Sequence, residues 1–235
     1  MARMPELATD ESFSSSVGDY LKAVWDLEGM GAASTKDVAV RLSISPASVT
    51  NMFARLQEMG LVEYERYRGA TLTDRGRGEA LRLVRRHRLI ETFLLEHLGY
   101  DWQEVHEEAE RLEHAVSDGF TERLAEFLGH PDHDPHGDRI PSAEGILELD
   151  DSYLLSEAVA GRVVHISKVS DEDASMLDYL GEHGLVPGRI LTVREVRTFD
   201  SVITVEDEEG AFHSLGAALA RSISVRNESR HRDHP

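Results

Sequence analysis

Cysteine is absent from the 235 residues. That excludes a disulfide framework, a thiolate metal site and a cysteine nucleophile. No run of about 18 apolar residues occurs, so no transmembrane helix is expected and no membrane is a partner. Met1 to Ser16 is polar and mixed in charge, without the apolar segment of a secretory signal. The expectation is a cytoplasmic protein. Positive charge is also scarce: 25 Lys and Arg stand against 44 Asp and Glu, a net charge of -19. Taken whole, that balance argues against a nucleic-acid partner.

The distribution of charge reverses that reading. Ser34 to Arg88 holds 11 Lys and Arg against 6 Asp and Glu, a local +5. From Ile90 onward there are 12 against 32, a local -20. A basic module can track phosphates while an acidic body does something else. Length allows two or three small domains, and the 40% hydrophobic content is that of an ordinary globular chain.

Val17, Tyr20, Leu21, Val24 and Leu27 recur at helical spacing, and Gly29 and Gly31 end that helix. Ser34 caps a short helix with Val38 and Leu42 inward. Ser45 and Pro46, as N-cap and first helical residue, open a third, with Val49, Met52, Phe53 and Leu56 on its inner face and Gly60 at its end. Leu61 to Thr73 alternates and turns at Arg68-Gly69, a β-hairpin. Thr73-Asp74 caps a long helix to Gly99. A second long helix is expected from Asp101 through Leu128. The polar stretch from Gly129 to Gly145 reads as a linker. Beyond it, Val163–Ile166, Ile190–Val193, Val202–Val205 and Ile223–Val225 are short β-type runs around one helix, Asp173–Gly184, as in a small SH3-like barrel. Asn227 to Pro235 reads as a frayed tail. The fold class is mainly α with a small β part. The expected domains are 1–80, 81–150 and 151–235.

Helix, turn, helix and hairpin is the order of a winged helix-turn-helix, whose second helix enters the major groove. Its leading side chains are Ser45, Ala47, Ser48, Thr50 and Asn51. They are small enough for close approach, and Asn51 alone can make a bidentate contact, to adenine. Readout by DNA shape or by paired half-sites must supply the rest. Arg55 follows on the same helix. Arg66, Tyr67 and Arg68 lie at the hairpin tip, where two cations can bracket a phosphate backbone. An ordinary helical hairpin with surface Ser and Thr is the plain alternative.

The strongest chemical signal is His106-x-x-x-Glu110-x-x-Glu113-His114. On one helix these positions share a face. Carboxylates crowded there need a cation or an Arg. His87 and Glu91 form another chelating i, i+4 pair one helix earlier. A solvated Glu- and His-rich face is the plain alternative.

The segments DYLKAVWDLE, SPASVT, RYRGATLTDRG, RRHRLIE and VHEEAERLEHAVSD, with the loop HPDHDPHGDRIP, resemble the diphtheria-toxin-repressor and manganese-transport-regulator family of metal-dependent repressors. The resemblance covers nearly the whole chain. It implies a winged helix-turn-helix domain, a helical metal-binding and dimerisation domain and a closing FeoA-type barrel. It implies a homodimer on a palindromic double-stranded operator. It also implies two metal sites per subunit. The primary site would use Asp19, Glu110, Glu113 and His114. The second would use His87, Glu91 and His106 with a barrel carboxylate. Asp173 aligns best for that role, with Asp171 or Glu172 as alternatives, and Met176 falls where some relatives place another ligand. Lys22 occupies a position that carries a carboxylate in manganese-type members. Iron-responsive relatives have Met and Cys where this chain has Asp19 and Glu110. An all-oxygen-and-imidazole set favours Mn²⁺, with Fe²⁺ as runner-up.

Asp19 lies on a different segment from its co-ligands, so an ion there would restrict the angle between DNA-reading and central modules. The apolar faces of Leu81–Leu98 and Val105–Leu128 are candidates for the dimer contact, although Leu124, Phe127 and Leu128 also suit an internal core. The loop histidines and aspartates from His130 to His136 read as connector. The rival function is a metallohydrolase, because His106-Glu107 begins like a zincin helix. Glu110 stands where that pattern requires a second His.

Overall fold

The computed structural model describes residues 14–29, 31–102, 104–148, 150–171 and 173–228. The chain divides into two compact units, 1–84 and 85–235.

The first unit is a winged helix-turn-helix. Its helices are α1 (Ser15–Glu28), α2 (Thr35–Arg41) and α3 (Pro46–Glu58), followed by a hairpin of β1 (Val62–Glu65) and β2 (Gly69–Leu72). Local chemistry sets each boundary. Ser34 Oγ accepts the Asp37 N–H at 3.1 Å, and Ser45 Oγ accepts that of Ser48 at 3.1 Å. Both caps satisfy an amide that the helix itself leaves unpaired. Val17, Leu21 and Val24 of α1 meet Val38 of α2 and Val49, Phe53 and Leu56 of α3 in one core. Phe53 and Leu56 are fully buried, worth roughly 2 kcal/mol apiece.

The hairpin turn lies at residues 66–68, slightly earlier than the sequence suggests. Tyr67 takes the left-handed backbone there, at φ 72°. Gly69 is needed instead for a close approach. Ala33 and Ala70 exchange backbone hydrogen bonds of 2.8 and 2.9 Å, and a Cβ on Gly69 would stand 2.5 Å from the Ala33 carbonyl oxygen.

α4 (Asp74–Leu98) follows, with Thr73 Oγ1 accepting the Gly76 N–H at 3.1 Å. In the second unit α4 continues alongside α5 (Val105–Glu113) and α6 (Asp118–Phe127). The sequence suggests one helix where α5 and α6 stand. Ser117 explains the break, since its hydroxyl accepts the Phe120 N–H at 3.2 Å and starts a new helix. Arg86 donates to the Glu113 carbonyl at 2.9 Å, at the end of α5. Leu89, Ile90 and Leu94 pack on Val105, Ala109, Leu124 and Ala125. Residues 129–148 are tied to α4 by Arg85, which donates to the Pro141 carbonyl, and by Arg88, which donates to that of Arg139.

The C-terminal part holds β3 (Tyr153–Leu154), β4 (Val163–Val169), α7 (Ala174–Glu182), β5 (Ile190–Arg197), β6 (Val202–Asp207), β7 (Phe212–Leu215), α8 (Ala217–Ser222) and β8 (Ile223–Asn227). The strands form one antiparallel sheet in the order β3-β8-β4-β5-β6-β7. Alternation is clean on β6, where Ile203, Val205 and Asp207 turn inward. β3, β7 and α8 add to the four runs legible in the sequence. The tail from residue 229 and Glu172 lie outside the described residues.

Two glycines of α4 give opposite predictions. A Cβ on Gly76 would lie 1.9 Å from the Leu61 carbonyl oxygen, whereas Gly78 has nothing within 4 Å. Gly76→Ala is expected to destabilise by about 2 kcal/mol. Gly78→Ala is expected to stabilise by about 0.5–1 kcal/mol. Thermal and urea unfolding of the two variants check the pair.

Candidate metal centre and DNA-reading face

α4 places His87 and Glu91 one turn apart on its inner face, both buried. Glu91 Oε1 lies 2.9 Å from His87 Nε2 and 3.1 Å from His106 Nδ1, the latter brought in by α5. Asp171, just beyond β4, reaches the same His106 nitrogen at 3.1 Å through Oδ2. Two carboxylates thus converge on one ring nitrogen, which carries at most one proton.

His136, from the loop read as a connector, completes the cluster. It is fully buried, and its Nδ1 lies 3.9 Å from Glu91 Oε2. Its ring stacks on Trp102, with centroids 5.3 Å apart. Its Nε2 is 3.2 Å from the Trp102 carbonyl oxygen. A carbonyl only accepts, so Nε2 bears the hydrogen. In the neutral ring Nδ1 then carries a lone pair, and it is buried with no hydrogen-bond partner. That is the orientation in which imidazole serves as a metal ligand.

The loop is built to hold this ring. Asp134 Oδ1 accepts the N–H groups of His136 and Asp138, each at 2.9 Å. The Val169 N–H donates to the His136 carbonyl at 2.9 Å, which pairs the loop with β4. Gly137, at φ 90°, sits so close to β4 that a Cβ would lie 2.1 Å from the Ser167 carbonyl oxygen.

The electrostatics are those of a cation site. Burial raises the Glu91 pKa, but the attraction of His87 and hydrogen bonds from His106 and His87 outweigh it and hold the carboxyl far below its usual range. Burial lowers that of His106, yet hydrogen bonds to Asp171 and Glu91 push it up to about 10. Burial works against ionised Asp171 too, and the His106 bond brings it down to about 2. Asp134 is driven well above its ordinary value by burial, then by the Glu91 and Asp138 charges, although Arg88 opposes this. Buried carboxylates crowded this closely are what a divalent ion neutralises.

Within the second unit, among the described residues, two groups of oxygen and nitrogen donors are compact enough to share an ion: His87, Glu91 and His106, and Glu91, His136 and Asp171. Glu113 is buried at the end of α5, its Oε2 2.6 Å from His87 Nδ1 and its Oε1 3.5 Å from His114 Nε2. Glu110 is more than half exposed and lies 3.6 Å from His106 Nε2. Of the stripe expected from the sequence, His106, Glu110 and Glu113 lie on α5, and His114 is its C-cap rather than a helical residue. Asp19 lies on α1 and is partly buried, within the first unit.

Asp173, the barrel carboxylate preferred from the sequence, does something else. It caps α7, with Oδ1 accepting the Ser175 and Met176 N–H groups at 2.9 and 3.2 Å. Asp171, two residues earlier, faces the histidines. His136 lies in the loop that reads from sequence as a connector, where no helical spacing gives it a direction. The signal available was a His flanked by Pro and Gly.

In the first unit Ser45, Ala47, Ser48, Thr50, Asn51 and Arg55 are all exposed on α3. Three of the hydroxyls already serve the helix: Ser45 and Ser48 contact each other at 2.9 Å, and Thr50 donates to the Pro46 carbonyl. At the wing tip Tyr67 is 91% exposed. Arg66 stacks over its ring at 5.1 Å, and Arg68 pairs with Glu65 at 3.3 Å.

Known proteins share this arrangement. Residues 12–70 match the N-terminal DNA-binding domain of the iron-dependent repressors, 73–142 their metal-binding and dimerisation domain, and 153–227 the FeoA domain. The iron-dependent repressor IdeR of Mycobacterium tuberculosis is 33% identical over 222 residues, 88% of this chain and 94% of that protein. The diphtheria toxin repressor of Corynebacterium glutamicum is 32% identical over 181 residues, 72% and 79%. A solved manganese-dependent transcriptional repressor in complex with manganese is 40% identical, at a TM-score of 0.84, and covers 90% of this chain and 100% of its own. Fold and site together define a metal-dependent, DNA-binding transcriptional repressor. The chain belongs to the diphtheria-toxin-repressor and manganese-transport-regulator family.

The His106–Asp171 pair gives a pH prediction for the metal-free protein. The raised His106 contributes stability that is complete below about pH 6.5 and lost as pH climbs toward about 10. The lowered Asp171 contributes stability that is complete above about pH 4 and lost as pH falls through about 2. Asp171→Asn should cost about 1–2 kcal/mol between those limits and flatten the alkaline arm. Urea unfolding in EDTA from pH 5 to 10 measures it. An unchanged alkaline arm in the variant would assign the loss to other groups.

Proposed function

We propose that this repressor is activated by Mn²⁺, with Fe²⁺ as the second reading, and that as a cytoplasmic homodimer it silences metal-uptake genes at a palindromic operator. The observation that carries the metal reading is the donor set. His87, Glu91, His106, His136 and Asp171 offer only imidazole and carboxylate, and the chain has no thiol. Hard donors suit Mn²⁺, while tighter-binding ions are excluded by availability rather than affinity. The manganese-bound relative supports this choice. The iron-dependent name of the mycobacterial relatives supports the alternative. The related protein ScaR, 36% identical at a TM-score of 0.77, is solved with Zn²⁺, in keeping with a site that ranks ions poorly by affinity alone.

Two metal positions follow. The second expected site takes His87, Glu91 and His106, and gains His136 and Asp171 in place of Asp173. The primary site remains what the resemblance implies: Glu110, Glu113 and His114, with Asp19 named by sequence alone. A bound ion supplies positive charge to carboxylates that otherwise repel. Because Asp19 belongs to the DNA-reading segment, that charge biases the spacing of two recognition helices in a dimer. Functional segments 1–80, 81–150 and 151–235 carry DNA reading, sensing with dimerisation, and the barrel. Phe127, 64% exposed, stacks edge-on with Phe93 and His97 and marks the dimer face we favour. The metallohydrolase alternative lacks support: Glu107, its required base, is exposed and pairs with Arg111 at 3.3 Å.

The test is fluorescence anisotropy on labelled DNA from upstream of the chain's own gene, with Mn²⁺, with Fe²⁺ under anaerobic conditions, or with EDTA. Mn²⁺ should tighten binding at least about 10-fold. Asp19→Ala should abolish that response, and Asp171→Ala should shift it to higher Mn²⁺. Asn51→Ala should weaken binding to the specific site by about 1–3 kcal/mol and leave binding to random DNA unchanged. Operator affinity indifferent to both metals and to EDTA would end the proposal.

A further inference from the structure

We propose that His87 couples the two metal positions, its ring tying a carboxylate of one to a carboxylate of the other. This rests on the two-site reading above. His87 is buried, and each of its nitrogens has its own acidic neighbour. Nδ1 lies 2.6 Å from Glu113 Oε2, and Nε2 lies 2.9 Å from Glu91 Oε1 and 3.2 Å from His106 Nδ1. Both carboxylates are almost wholly buried, with side-chain exposures of 2% and 1%. Glu113 turns its second oxygen toward His114, at 3.5 Å. The sequence His114, Glu113, His87, Glu91, His106 is therefore an unbroken chain of polar contacts.

A metal-bound histidine usually passes its other N–H to a carbonyl or to a carboxylate that merely orients it. Here the acceptor is itself a proposed ligand of the other ion. A neutral imidazole has one hydrogen and two places for it. An ion on Nε2 leaves only Nδ1 to carry it, and Glu113 Oε2 then accepts a single, fixed bond. That bond holds the Glu113 carboxylate in one rotamer, with Oε1 still presented beside His114. The torsional freedom that the second ion would have had to remove is already gone. Linkage makes the effect reciprocal: an ion on Glu113 and His114 favours the tautomer that accepts an ion at Nε2.

Trp102 supplies a position-specific probe, because it stacks on His136. With Trp25→Phe in the full-length chain, Trp102 is the sole indole, and its quenching by Mn²⁺ reports the cluster around Glu91. Electron paramagnetic resonance of free aqueous Mn²⁺ counts all bound ions. Two ions per chain are expected. His106→Ala, which spares the His87–Glu113 contact, should abolish the Trp102 response and weaken the remaining ion about 10-fold. His87→Asn places an amide N–H where Nδ1 stood, so it should lose the Trp102 response while the remaining ion keeps its affinity. Adding His106→Ala to His87→Asn should then change nothing further. If His106→Ala leaves the remaining ion within about 2-fold of its affinity, or if its penalty persists beside His87→Asn, the coupling is overturned and two independent sites stand. His106→Ala decides this even where His87→Asn does not fold. Uptake of fewer than two ions by the unsubstituted chain overturns the two-site reading and this inference with it.

Discussion

Glu91 is a carboxylate with one per cent of its surface in water. A lone anion so placed costs several kcal/mol and is not tolerated without compensation. The second unit supplies that compensation from three directions: His87 from one turn earlier on α4, His106 from α5, and His136 from the loop after α6. Asp171, at the end of β4, then needs the same cations. The packing of α5 and the barrel edge around α4 is thus tied to one electrostatic debt. Without a metal, the proton on His106 meets part of it, which is why His106 holds that proton so far above the ordinary histidine range. A divalent ion meets it with one charge centre in place of several. The metal and the protons are therefore competitors for the same carboxylates.

The legible and illegible parts of this site divide along a physical line. His87 and Glu91, and the run from His106 to His114, were readable because helical spacing converts sequence separation into direction. Asp171 and His136 have no such periodicity. Their directions come from tertiary anchors: the Val169–His136 backbone bond, the Trp102 stack, and the glycine that lets residue 137 touch β4. Asp173 stands at a helix start, where a capping Asp is the commonest local use of that residue, and Asp171 is the carboxylate beside His106. The break between α5 and α6 was available in the same terms, since Ser117-Asp118 is a capping sequence inside an otherwise periodic stretch. The winged helix was almost fully legible, because its caps, hairpin and inner faces are all local. β3 and β7 were not, being two and four residues long and dependent on neighbouring strands for their definition.

On the DNA-reading face, caps and contacts draw on the same atoms. Ser45 and Ser48 share a hydroxyl contact, and Thr50 is bonded to its own helix. Each retains spare acceptor capacity, but little freedom to reorient toward a base edge. Asn51 is the residue in the first two turns of this helix whose side chain matches a base pair in two places. On the proposed reading, specificity then comes from geometry: the spacing of two recognition helices, the shape of the groove and phosphate contacts from Arg55 and the wing. A head that reads mainly by geometry is one that a change in spacing can switch. A head with many bidentate contacts would hold one half-site whatever the other did.

Geometry-based reading also explains why an acidic body is useful. The local surplus of positive charge is confined to Ser34–Arg88, and the rest of the chain is strongly negative. Negative charge beyond the head repels DNA, so non-specific attraction through the rest of the surface is suppressed. In the proposed dimer, what binds is the pair of basic heads, and binding is strong only when both engage. The ion therefore need not create new DNA contacts to act as a signal. On the proposed mechanism it has only to stabilise the arrangement in which the second head reaches the second half-site. The energy required is that of the second contact set, and a dication among buried carboxylates supplies electrostatic free energy of that order or more.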